Sequence, residues 1–183
     1  MPYFKTPSPG RASGLTLVEL ITVLAIIAVL LPLAAPHFLA WIDQHKLRTG
    51  AGGILTALQY ARLRAVREHA TVVLTFDPDG DNQLDGRYQV FVNQGIDKST
   101  WWTREPGERI VLDKRLPEGI TVVDASFAGG IPRTRFNSRG FPNGFGGHVY
   151  LKNRRESHLG VHLNLNGNPR LVRSETGAKG TWK

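Results

Sequence analysis

Cysteine is absent from the 183 residues, methionine occurs once, and aromatic side chains make up 9% of the chain. Without cysteine there is no disulfide, so an exported domain built from this sequence has to hold together by burial and strand pairing, or with a bound ion. With no cysteine and no H-E-x-x-H, a zinc site is not expected. The six histidines form no metal-ligand pattern: His158 and His162 are four apart in a strand-like stretch, on one sheet face but about 13 Å apart. The serines, such as Ser126, Ser138 and Ser157, lack a G-x-S-x-G elbow. The glycine-rich GFPNGFGG (140–147) lacks the G-K-[ST] ending of a phosphate loop and reads as turn chemistry. No catalytic constellation remains, and an enzyme is not expected. Internal repeats are also missing.

Charge is absent where it matters most. From Leu20 to Trp41 there is no Lys, Arg, Asp or Glu, and the longer stretch Gly14–Ile42, GLTLVELITVLAIIAVLLPLAAPHFLAWI, holds only Glu19. A hydrocarbon core about 30 Å thick needs about 20 apolar residues of helix, so this run is long enough to span or anchor. Apolar residues on all sides leave no amphipathic face, which argues against a helix lying flat on lipid. A cleavable signal peptide has an apolar region of roughly 7–15 residues ending in small residues; this run is longer and meets its polar boundary at the front. A plain anchor would have no use for Glu19, because an acid inside a bilayer is costly and is usually kept for a partner.

The block GLTLVEL, preceded by a short polar segment with Lys5 and Arg11 and followed by an unbroken apolar helix, closely resembles the processing site of type IV prepilins and type II secretion pseudopilins. The resemblance is sharp over residues 11–45. It implies cleavage after Gly14 by a prepilin peptidase, a methylated new N-terminus at Leu15, and Glu19 at the family's fifth mature residue. There the carboxylate would pair with the N-terminal amine of a neighbouring subunit, a pairing strengthened by low dielectric. Pro36 also falls at the family's usual helix proline. The first mature residue is usually Phe in that family and is Leu here.

The remaining chain divides accordingly. Residues 1–14 carry three prolines, two glycines and two positive charges, and read as a leader. Residues 15–42 form the membrane half of a helix. Beyond the polar boundary Asp43-Gln44-His45-Lys46, the residues Leu47, Ala51, Ile54, Leu58, Ala61 and Ala65 recur at spacings of four and three, which lines one face for packing on the head. A helix from Leu15 to Glu68 would be about 80 Å long. Gly50, Gly52 and Gly53, or Pro32 and Pro36, mark where it would hinge. Short strand-like segments follow at 70–76, 87–93, 109–113, 119–124, 134–137, 148–152, 158–166 and 169–173. The fold class is therefore α+β: one long N-terminal helix, membrane-spanning in its first half, laid on an antiparallel β-rich head covering 43–183. In length and layout this is similar to the FimT/GspH minor pilins.

Two charged groups raise ligands. Asp77, Asp79, Asp81 and Asp85 lie within nine residues on a Gly-containing turn, where alternate carboxylates could converge on calcium. Asn82 stands where the EF-hand pattern needs Gly, and the final Glu is missing, so a non-helical calcium turn and a plain acidic hairpin held by Asx-turns both stay open. The formal charge is +8, and +6 (21 basic, 15 acidic) once residues 1–14 are removed. Residues 152–183 hold seven basic residues against Glu156 and Glu175, a local +5. Through GNPRLVR this segment loosely resembles the basic DNA-binding tail of FimT. DNA would then be a partner of Arg154, Arg155, Arg170 and Arg173; the alternative is a solvated sheet edge. Trp101-Trp102 reads as a loop-to-core plug. As a whole the resemblance implies a minor pilin or pseudopilin, single-pass in the inner membrane with a periplasmic head, whose partners are other pilins and the prepilin peptidase, in a type IV pilus or a type II secretion filament. A membrane-tethered DNA-uptake pilin is the alternative.

Overall fold

In the computed structural model the described residues are 16–81, 83–93, 104–143, 146–174, 176–177 and 181–182. The expected leader and Trp101-Trp102 lie outside them. Helix α1 spans Leu17–Glu68, 52 residues assigned without a break through Pro32, Pro36, Gly50, Gly52 and Gly53. None of the suggested hinge positions interrupts the helix.

The chain forms two compact units, dividing after Leu39. In the first, α1 is apolar and exposed all round, and the helix is long and apolar enough to cross a membrane. Its one internal hydroxyl up to Leu39, Thr22, donates to the Val18 carbonyl at 2.8 Å, so that hydroxyl is satisfied within the helix.

In the second unit α1 buries Leu47, Gly50, Ala51, Ile54, Ala57, Leu58, Ala61 and Ala65, the face expected from the spacing. Most of these side chains are small, which lets strands approach the helix backbone closely. Gly50 explains itself in this way: a Cβ there would sit 3.3 Å from the Leu116 side chain and 3.4 Å from Pro117, and at Gly53 one would lie 3.0 Å from the Tyr88 hydroxyl. These glycines are packing positions.

Among the described residues eight strands follow, β1 (Thr71–Thr75), β2 (Arg87–Asn93), β3 (Ile110–Arg115), β4 (Ile120–Ser126), β5 (Arg133–Phe136), β6 (Gly147–Asn153), β7 (His158–Leu163) and β8 (Pro169–Ser174). They make two antiparallel sheets, in the orders β3-β2-β1-β5 and β4-β6-β7-β8. The β1–β2 hairpin pairs Thr75 with Gln89, as the flanking of the acidic turn suggested. Strand β7 ends at Leu163, short of the expected 166. Asn164 takes the amide of Asn168 on its side chain at 2.8 Å, and Gly167 adopts φ +76°, which together turn the chain back into β8. One core joins the helix face to both sheets, through Val72, Leu74, Val90 and Val92 of the first and Val122, Val149, Leu151, Val161 and Leu163 of the second. Apolar side chains alternate along β4, β6 and β7, so the opposite face of that sheet is left to polar and aromatic groups.

Candidate functional site

Glu19 sits in the first turn of α1, where Thr16 precedes the helix. The Glu19 carboxylate accepts from the Thr16 amide at 2.9 Å and from the Thr16 hydroxyl at 2.8 Å, while the Thr16 hydroxyl accepts from the Glu19 amide at 3.2 Å. This is a reciprocal capping box, in which a Thr and a Glu three residues on satisfy each other's free amides. Thr16-Leu17-Val18-Glu19 carries the pattern openly, so sequence alone could have found this second role. Gly14 and Leu15, the expected processing residues, lie outside the described residues.

The structure does not gather the four aspartates of the β1–β2 turn around a common point. Asp77 is buried and accepts from the Gly80 amide at 2.9 Å, and Asp81 accepts from the Gln83 amide at 2.9 Å. Asp85 accepts from the Arg87 amide at 2.9 Å and pairs with Arg115 at 3.1 Å. Asp79 lies 3.5 Å from Arg87, whose guanidinium also grips Asp113 through two hydrogen bonds of 2.8 and 3.1 Å. These bonds hold the Asp113 carboxyl below the usual carboxylate range, chiefly through Arg87. Among the described residues no group of three or more His, Asp or Glu side chains is placed to hold a metal ion. Among the described residues the turn is a hairpin closed by Asx-turns and arginine pairs. Melting of the folded chain should occur at the same temperature with calcium as with a chelator; an upward shift with calcium would restore the metal reading.

The four arginines are likewise dispersed. Arg154 and Arg155 stand in the β6–β7 turn, paired with Glu118 at 2.9 Å and Asp43 at 3.1 Å. Arg170 and Arg173 both remain in β8, opposite His162 and Leu159 in register. Three apart in a strand, they project to opposite faces. Tyr150 and Trp182, the aromatics nearest the basic tail, stack on each other with centroids 3.8 Å apart. Among the described residues these four arginines form no continuous track.

Sequence reasoning missed what surrounds that stack. On the outer face of the second sheet, His148 bonds Asp124 at 2.9 Å and stacks on Tyr150 at 4.2 Å, and the Tyr150 hydroxyl bonds His162 Nε2 at 2.8 Å. Burial, followed by the charges of His148 and Arg170, pushes the His162 pKa below its ordinary value. Burial, followed by Asp124, raises that of Tyr150. The two hydrogen-bonded pairs are 24 and 12 positions apart in the chain, and only strand register brings them together. They pin Trp182 of the C-terminal segment to the sheet.

A single long apolar helix whose second half is packed on antiparallel sheets, with a lone carboxylate in its first turn, defines a type IV pilin-like subunit. The chain matches the family described as type II transport protein GspH over residues 51–168. It belongs to that family, and is a minor pilin or pseudopilin of the kind found in type IV pili or type II secretion systems. Among solved structures it is similar to the type IV minor pilin FimU of Pseudomonas aeruginosa, with 15% identity, TM-score 0.51, and coverage of 72% of this chain and 91% of that one. It is also similar to the minor pseudopilin EpsH from the type 2 secretion system of Vibrio cholerae, with 14% identity, TM-score 0.50, and coverage of 70% and 97%. No curated relative matches the chain.

Proposed function

We propose that the chain is made as a precursor, held in the inner membrane by residues 15–42 with its head in the periplasm, cut after Gly14 by a prepilin peptidase, and used in assembling a pilus or pseudopilus. The observation that carries this reading is the exposed apolar half of α1 with its carboxylate in the first turn. A helix half whose apolar side chains are exposed among the described residues calls for lipid before assembly and for other helices afterwards. The head, by contrast, has a complete core and no catalytic grouping among the described residues, which fits a structural role.

Co-expression with a prepilin peptidase should shorten the product by residues 1–14, and Gly14→Ala should slow or stop the cut. Edman sequencing or mass spectrometry reads the new terminus. A terminus other than Leu15 would overturn the assignment.

A further inference from the structure

The C-terminal segment closes a small apolar site that the main core does not include. Tyr150 and Val172 are 9% and 3% exposed, yet neither belongs to the core that joins the helix to both sheets. Both lie on the outer face of the second sheet, in line with Gly160 across β6, β7 and β8. Gly160 is required there: a Cβ on it would lie 2.6 Å from the Tyr150 ring, which covers the glycine. Trp182 stacks on Tyr150 at 3.8 Å with the planes 3° apart, and meets His158 edge-on at 6.3 Å. At the end of β8 the Ser174 hydroxyl bonds Thr181 at 2.5 Å and accepts from the Gly177 amide at 2.9 Å, which ties the segment back to the strand.

The hold is incomplete at its polar edge. Trp182 Nε1 and His158 Nδ1 are buried and find no hydrogen-bond partner among the described residues, which weakens docking against a hydrated free form. The titratable groups on this face are Asp124 from β4, His148, Tyr150 and Lys152 from β6, His158 and His162 from β7, and Arg170 from β8. Asp124 bonds His148, and Lys152 bonds Glu156. His162 is left with the Tyr150 hydroxyl and with two basic cross-strand neighbours, His148 and Arg170. Thr176, Gly177, Thr181 and Trp182, the described residues of the C-terminal segment, carry no charge.

We infer that Trp182 is a pH-sensitive latch, holding the C-terminal segment on the outer face of the second sheet while His162 is neutral and releasing it when His162 takes up a second proton. With its proton on Nδ1, neutral His162 accepts from the Tyr150 hydroxyl through Nε2; in the imidazolium both nitrogens are donors, and that acceptor is lost. The new charge stands between His148 and Arg170, where the Tyr150–Trp182 stack restricts water. Lifting Trp182 away hydrates it. Burial, followed by the charges of His148 and Arg170, keeps docked His162 below its ordinary value, so the free form takes up the proton first as pH falls. The docked-to-free ratio therefore drops by up to about tenfold per pH unit below about pH 6.5, the ordinary histidine value, and levels off once the docked form is protonated as well. The latch uses residues of the head alone and stands apart from the filament role.

The full-length chain in detergent micelles, labelled with 5-fluorotryptophan, provides the test. The sequence has four tryptophans, and the Trp182 fluorine resonance is the one lost in Trp182→Phe. Tyr150→Ala removes the platform and gives the free position of that resonance. From about pH 8 to about pH 5 the wild-type resonance should move to the free position, the docked-to-free ratio dropping about tenfold or more. His162→Gln keeps an acceptor for the Tyr150 hydroxyl but takes up no proton, so Trp182 should stay docked throughout. Equal release in His162→Gln, or wild-type Trp182 docked at the acid end or free at the alkaline end, would overturn the inference. Should the glutamine itself undock Trp182, Arg170→Gln decides: with that neighbouring charge gone, the drop in ratio should shrink by about twofold or more, and an unchanged drop overturns the latch. Circular dichroism on the same samples must show a folded head at the acid end, because release by global unfolding also counts against it.

Discussion

Phe136→Ala should destabilise the head by about 3–5 kcal/mol, the range for emptying a buried aromatic site. Phe136 is fully buried and belongs to the core that joins the helix to both sheets. It lies at the end of β5, opposite Val72, and its backbone bridges to Pro142, so the walls around it are paired strand and cannot collapse far into the space. Domains of this kind are stable by roughly 5–15 kcal/mol, so the loss removes about a fifth or more of the margin. With no disulfide to limit the unfolded chain, nothing covalent offsets it. Urea unfolding of the head should show a lower midpoint with an unchanged slope. Leu171→Ala serves as the contrast: Leu171 is 49% exposed in β8, and its loss should stay within about 0.5 kcal/mol. Equal midpoints for Phe136→Ala and wild type would mean that the core described above is wrong.

The difference between those two residues shows what one sequence discloses. The period of three and four through Leu47, Ala51, Ile54, Leu58, Ala61 and Ala65 identified the buried helix face, because helical geometry alone decides which residues share a side. The acidic turn identified the β1–β2 hairpin for a similarly local reason. The division into two sheets did not show, since nothing local distinguishes β5, which returns to pair with β1, from β4, which pairs with β6. The fates of the charged groups were also hidden. Asp79 and Asp85 look like ligands in sequence, yet Arg87 and Arg115 claim them, and Arg87 in turn finds Asp113 only because β2 and β3 lie in register. The same holds for His148, Tyr150 and His162, which are unremarkable until β6 and β7 pair. Glu19 is the opposite case. Its local partner Thr16 is legible in Thr16-Leu17-Val18-Glu19, whereas the family resemblance directs the same carboxylate to a neighbour's N-terminal amine.

That double reading makes Glu19 the position of the second large effect. Glu19→Ala should still insert and still be cut, yet be absent from sheared filaments and fail to crosslink to neighbouring pilins. The alanine removes two things at once: the carboxylate that would meet a neighbour's N-terminal amine, and the acceptor that takes the Thr16 amide and hydroxyl. Glu19→Gln separates them. The glutamine carbonyl oxygen can still accept from the Thr16 amide, so the capping box keeps its geometry, but the charge is gone. In a dry assembly the amine of a neighbour would then be left without its counter-ion, and leaving one partner of a buried pair alone is strongly unfavourable. Both variants should therefore be excluded from filaments, while Thr16→Val, which removes the hydroxyl and keeps the carboxylate, should be incorporated. Immunoblots of sheared filaments, set against membrane fractions showing equal trimmed protein, provide the measurement. If Glu19→Gln enters filaments as well as wild type and Thr16→Val does not, the carboxylate serves the helix start alone, and the intersubunit pairing is lost as an explanation.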